Sequence, residues 1–267
     1  MMNRFLTIAA FAAALLAPAS ALAHRAWIAP SAATVSGEDP WVTFDAASSN
    51  TLFYADHNAM RLDGMVITAP DGSTVAPENM TRGRYRTTFD LHLTQTGTYR
   101  VVNASQGIMA RYDLNGEQRN WRGAANEFAT AIPAGATNVR VTENANRVET
   151  FVTRGAPTQI APVNTGLELA PITHPNDLVA GEPARFRFLL DGRPAANLQV
   201  TLSPGGGRYR DNAGDVTVTT GADGSFTANW PSAGLWWINA SVRDLPSQVR
   251  NATRSANSAC GPPRMGT

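Results

Sequence analysis

Apolar side chains in this chain recur at every second position over short stretches, and long runs with a period of 3.6 are missing. That alternation restricts the fold more than any other feature. Over residues 84–93, Tyr85, Thr87, Phe89, Leu91 and Leu93 share one face. Arg84, Arg86, Thr88, Asp90 and His92 share the other, as in a strand with one side buried. Asp71-Gly72, Asp191-Gly192 and Asp223-Gly224 punctuate such runs and read as hairpin turns. Gly97 and Gly234 each precede an aromatic-rich strand. Residues 121–130 read as one short helix. Short strands at this spacing predict an all-β protein built of two β-sandwich domains.

The stretch 154–166, RGAPTQIAPVNTG, is rich in Pro, Gly and Thr and has no periodicity, as linkers do. It divides an N-terminal β-rich domain, residues 24–160, from a second sandwich, residues 161–243. Beyond that, residues 244–267 are polar, rich in Ser, Asn and Arg and interrupted by Pro; this tail is expected to be disordered.

The first 23 residues predict an export signal. Arg4 supplies the positive start, residues 5–16 the apolar run, and Ala21-Leu22-Ala23 the small-x-small cleavage pattern. The run is shorter than the roughly 20 residues of a membrane-crossing helix, and no later stretch approaches that length. The expectation is a periplasmic or secreted protein with no transmembrane segment in the mature chain and His24 as its first residue. The full chain holds 22 basic residues, all Arg, and 21 acidic ones. Removal of Arg4 leaves 21 of each, a balance that offers nucleic acid no electrostatic footprint. The single Cys, Cys260, excludes an intramolecular disulfide framework and any Cys-rich zinc site.

Four stretches in order, HRAWIAP from residue 24, LFYADHNAMRLDG at 52–64, GLELAPITHPNDLVAGE at 166–182 and the closing PSAGLWWINA, give the chain a resemblance to the DUF4198 family of exported bacterial proteins. That family in turn resembles periplasmic components of nickel and cobalt uptake systems. The resemblance implies a β-rich first domain and a second sandwich of immunoglobulin-like or carboxypeptidase-regulatory-like type. It implies Ni²⁺ or Co²⁺ as the ion and a membrane transporter component as a partner. Relatives usually finish with an alternating apolar strand, which the tail of this sequence lacks, so the last edge of the second sandwich is expected to stay open.

A His at a free amino terminus offers two nitrogen donors, its α-amine and an imidazole nitrogen, which close a chelate ring on one cation. Both donor types lose their protons at little cost near neutral pH. Nitrogen donors in a tetragonal arrangement suit Ni²⁺ or Cu²⁺, and on affinity alone Cu²⁺ wins. One residue is not a site, so His24 needs partners. His57 is the first candidate, with Asp56 beside it as an oxygen ligand or as a group that orients an imidazole. The bland reading is an exposed His24 that merely comes after the cleavage point and a His57 bonded within a turn. His92, on the polar face of its strand, reads as a surface residue, and His174, before Pro175, as part of a turn; both are outside candidates for ligation.

Other features read as structure. Pro204-Gly205-Gly206-Gly207 lacks the Lys and the following helix of a phosphate cradle and reads as a hairpin loop. Trp236 and Trp237 must point to opposite faces of one strand, so one of them packs inward and the other meets solvent or the domain seam. No G-x-S-x-G or H-E-x-x-H motif occurs, so the expected function is binding and not catalysis. Two other readings remain open from the residues: a non-metal module that binds an envelope or polysaccharide partner, and a copper-dependent oxygenase that uses its terminal His.

Overall fold

The computed structural model describes residues 24–210, 213–247, 249 and 252–261. Residues 1–23, the stretch read as an export signal, lie outside them. In chain order the strands are β1 (Arg25–Pro30), β2 (Thr34–Val35), β3 (Trp41–Ser49), β4 (Asn58–Ala59), β5 (Met65–Thr68), β6 (Thr74–Val75), β7 (Glu78–Arg82) and β8 (Thr87–His92). They continue as β9 (Gly97–Leu114), β10 (Glu117–Gly123), β11 (Thr137–Arg154), β12 (Leu167–Pro171), β13 (Pro183–Leu190) and β14 (Arg193–Pro194). The last five are β15 (Gln199–Pro204), β16 (Val216–Thr219), β17 (Ser225–Asn229), β18 (Trp236–Pro246) and β19 (Ala252–Gly261). One short helix, α1 (Ala125–Ala131), overlaps the stretch read as helical. The protein is all-β, as the alternation predicts.

Two sandwiches are present, and they share a wall. A ten-stranded sheet runs β16-β15-β18-β19-β11-β9-β5-β6, with β10 on β9 and β2 on β11. A five-stranded sheet, β1-β3-β8-β7 with β4 on β3, encloses the first core with it. A four-stranded sheet, β12-β13-β14 with β17 on β13, encloses the second. Alternation sends neighbouring residues of the shared sheet to different cores. Val148 and Val152 of β11 join Phe44, Phe89 and Leu91 in the first, whereas Phe151 joins Phe186, Phe188 and Leu169 in the second. Likewise Trp236 packs in the second core and Trp237 in the first, and both are buried. A strand covered on both faces buries both indoles, so neither meets solvent.

The tail corrects the sequence reading most sharply. Residues 252–261 are not disordered: β19 runs parallel to β11, from Val141↔Ala252 to Thr150↔Gly261, and antiparallel to β18. It closes the edge expected to stay open and joins the two halves of the shared sheet. Ala256 and Cys260 face the second core, and Ala259 the first. Small side chains fit there because both faces are covered, and ladder pairing with two neighbours holds the strand without large apolar groups. Cys260 is therefore buried and not an exposed thiol. Burial, and then the Glu149 carboxylate, push its pKa well above the usual thiol range, against a smaller opposing pull from Arg100.

The three Asp-Gly turns differ in the strands they connect. At Asp191-Gly192 both residues have positive φ, 50° and 75°, and Leu190 pairs with Arg193, the mirror-image turn that suits a two-residue hairpin. Asp71-Gly72 also makes a hairpin, between β5 and β6. Asp223-Gly224 does not: β16 pairs with β15, but β17 pairs with β13 in the other sheet. The turn carries the chain across the sandwich. A Cβ at Gly224 would lie 2.5 Å from the Phe188 carbonyl oxygen, so only glycine fits there. Tyr85 also departs from its expected face; β8 starts at Thr87 and Tyr85 is exposed.

Candidate metal centre

Sheet register brings His24 and His57 together. β1 pairs with β3 as far as Arg25↔Ser49, so one further step of the ladder sets His24 opposite Asn50. β4 lies on the other side of β3 with Ser48↔Asn58, and one further step sets His57 opposite Ser49. Two residues far apart in sequence thus meet at the end of β3. Their imidazole rings stack with centroids 3.6 Å apart and planes 19° from parallel.

The loop between them is held by specific bonds. The Trp27 indole donates to Ser49 Oγ at 2.7 Å, and the Ser49 hydroxyl donates to the Thr51 carbonyl, also at 2.7 Å. Phe53 sits at a φ of 61°, an outlier for a bulky residue, with its ring edge-on to Trp27 at 5.7 Å. Asp56 does not point its charge at the imidazoles. Its Oδ1 accepts the Asn50 N–H at 2.9 Å and its Oδ2 the Thr51 N–H at 3.2 Å. Among the described residues Asp56 bonds neither imidazole; it fixes the loop that carries Asn50.

Asn50 is the residue that the motif reading missed. Its Oδ1 lies 3.0 Å from His24 Nδ1. The amide oxygen can only accept, so Nδ1–H donates this hydrogen bond; loss of that proton would leave a nitrogen and an oxygen at the roughly 3 Å separation of two neighbouring ligands about 2.0–2.2 Å from one ion. Nδ1 is also the ring nitrogen that closes a six-membered chelate with a free α-amine on the same residue. Among the described residues no group of three or more His, Cys, Asp and Glu side chains gathers where it could hold an ion. A centre here would draw on the two imidazoles, with one ring turned out of the stack so that both in-plane lone pairs reach the ion, on the Asn50 carbonyl and on an amine that cleavage after Ala23 would expose. That set is nitrogen-rich with one neutral oxygen, which suits Ni²⁺ or Cu²⁺ better than Mg²⁺ or Ca²⁺.

The first residues after His24 tie this corner to the second sandwich. Arg25 donates to both oxygens of Asp215, at 3.2 and 2.5 Å, and its guanidinium lies 5.4 Å above the Trp237 ring. The Trp237 indole donates to the Ala26 carbonyl at 3.0 Å. Burial works to raise the Asp215 pKa, but the Arg25 guanidinium and the Ser203 hydroxyl hold it below the usual carboxylate range.

The other two histidines lie apart from this pair. His92 stacks flat on Trp41 at 4.4 Å and engages Asp39 through Nε2, on the outer side of the five-stranded sheet. His174 sits where the two sandwiches meet. Its Nδ1 accepts the Asn176 N–H at 3.1 Å, and Nε2 is 3.0 Å from Thr98 Oγ1, so both ring nitrogens are engaged. Partial burial lowers its pKa below the ordinary 6.5 despite opposing pulls from Thr158 and Asp177. A depressed folded-state pKa means that its contribution is complete above about pH 6.5 and is lost as pH falls, when protonation of Nδ1 breaks the Asn176 bond. His174→Asn, which can still accept within the turn, is expected to flatten the fall in urea midpoint between about pH 7.5 and 5.5. An unchanged fall would contradict that role.

The family model described as "Domain of unknown function (DUF4198)" matches residues 21–244. No curated protein matches the sequence. Among solved structures, the D0-D1 domain of Intimin aligns over 88% of this chain and 96% of its own, with 13% identity and a TM-score of 0.21. No helix among the described residues is long and apolar enough to cross a membrane.

Proposed function

This chain belongs to the DUF4198 family, and we propose that it binds a divalent transition metal ion outside the cytoplasm and serves the uptake or handling of that ion. The observation that carries the reading is the meeting of His24 and His57, with rings 3.6 Å apart, at a corner where export processing would free the His24 amine. His24 supplies the amine and Nδ1, His57 a third nitrogen and Asn50 an oxygen, while Asp56 holds the loop. Ni²⁺ or Co²⁺ is the proposed cargo, and a transporter component in the membrane the proposed partner. The role proposed for the site is carriage of the ion.

Calorimetry on a chain that starts at His24 should show one site for Ni²⁺ or Cu²⁺ at micromolar affinity or tighter. One alanine placed ahead of His24 removes the chelate ring and should weaken binding by about tenfold or more. His57→Ala should weaken it to a similar extent, whereas His92→Ala should leave it unchanged. Equal affinity in the extended and the His24-initiated chains would remove the amine from the site, and equal affinity in His57→Ala would remove the pair.

A further inference from the structure

A cleft of about 470 Å³ opens beside the histidine corner, between the loop at 51–54 and the second sandwich's segments 204–210 and 232–236. The two sides belong to one surface: Thr51 lines the cleft, and its N–H is one of the two amides held by Asp56. The volume lies in the range of small-molecule sites. Its described lining contains the guanidinium groups of Arg208 and Arg210 and no carboxylate. Arg208 lies over the Tyr54 ring at 4.5 Å, which supports its guanidinium and leaves N–H groups free to meet a ligand. One nitrogen of Arg210 donates to the Pro204 and Gly205 carbonyls at 3.0 and 2.7 Å, so this guanidinium is fixed to the rim. Asp215, a nearby acid among the described residues, is bonded by Arg25 and Ser203 and also feels the Arg210 charge. Tyr209, at 86% exposure, stands at the mouth. Gly206 has a φ of 75°, and a Cβ there would meet nothing within 4 Å, so the backbone rim is open to a ligand.

We infer that this cleft binds a small oligocarboxylate anion and, resting on the metal reading above, that the anion is the chelator in which the ion arrives. The Arg208 fork matches one carboxylate, the Arg210 cation, with one nitrogen held by the rim carbonyls, attracts a second, and the aromatic and glycine surfaces take the carbon skeleton. An ion held by four protein donors has positions left for carboxylate oxygen, and a cleft next to it can hold the rest of the chelate.

Calorimetry with citrate, with inorganic phosphate and with Ni²⁺ separates the parts. Citrate alone should bind, with phosphate weaker by about tenfold or more. Arg208→Gln should weaken citrate by about tenfold, with Arg208→Lys in between, because lysine keeps the charge and lacks the fork. Neither change should alter Ni²⁺ binding or the unfolding temperature, since Arg208 is on the rim. Citrate and Ni²⁺ should each tighten the other by about fivefold or more, with free concentrations corrected for the complex they form in solution, and His57→Ala should abolish that coupling. No citrate binding, equal phosphate binding, or citrate affinity untouched by Arg208→Gln would overturn the cleft assignment. Citrate binding with no coupling to Ni²⁺ would overturn the chelator role. The Ni²⁺ titration alone decides the metal reading in each case.

Discussion

A chain that stops at residue 251 is expected to be recovered as unfolded or aggregated material. The lost segment carries β19, which pairs along its length with β11 and again with β18. Without it the shared sheet splits at its middle. Two unpaired edges are exposed, Trp236 and Phe151 lose the cover of Ala256 and Cys260 in the second core, and Trp237 loses Ala259 in the first. A ladder broken on both sides of an interior strand, together with that loss of packing, exceeds the roughly 5–15 kcal/mol by which domains are stable. Soluble yield and the near-ultraviolet circular dichroism of the aromatic residues would show the collapse. A truncated chain with an intact aromatic signal and an unchanged melting temperature would contradict the closing role given to this strand.

Arg100→Met should destabilise the protein by about 3–5 kcal/mol. Arg100 of β9 donates to Glu149 Oε2 through Nε at 2.9 Å and through a terminal nitrogen at 2.7 Å, and Glu168 Oε2 is 3.5 Å away. Both carboxylates are fully buried. Burial tends to lower the Arg100 pKa, but the two carboxylates outweigh it and raise it. Glu168 also accepts the N–H groups of Val163 and Asn164, and Arg100 donates to the Ala161 carbonyl, so the trio pins the linker to the shared sheet. Removal of the cation leaves two buried negative charges facing each other. Since among the described residues the Glu149 carboxylate bonds only to Arg100 and its Oε1 has no partner, Arg100→Met with Glu149→Leu should recover a large part of the loss. Urea unfolding of both variants measures this; a single-variant loss below about 1 kcal/mol would place the trio among weak surface pairs.

Much of the first sandwich was legible in the sequence, because its strands have one covered face and one wet face. Phe89, Leu91 and Leu93 alternate with Asp90 and His92, and the structure buries the first set. His24 and His57 were named together from the sequence for their nitrogen chemistry, and only the register of β1, β3 and β4 shows how their rings meet. The rest was hidden for physical reasons. β19 is built of Ala, Ser, Asn and Thr with one Arg, one Cys and a final Gly; when both faces are covered and the ladder supplies the binding, apolar alternation vanishes. The Asp223-Gly224 turn has the chemistry of a hairpin, and only long-range pairing sends β17 to the other sheet. Asn50 gave no motif signal, since an amide carbonyl becomes a candidate ligand only by position. The Pro-Gly-Gly-Gly stretch was legible as a loop, but its place opposite Tyr54 is a tertiary fact.

Native mass spectrometry of the protein recovered after export tests the central claim most directly, because one spectrum reports both the first residue and the bound mass. The account predicts a chain that begins at His24 and carries one Ni²⁺, Co²⁺ or Cu²⁺ ion, with His57→Ala recovered with the same first residue and a smaller bound fraction. A mature chain that begins elsewhere, or one that begins at His24 and holds no ion when Ni²⁺, Co²⁺ and Cu²⁺ are supplied, would contradict it.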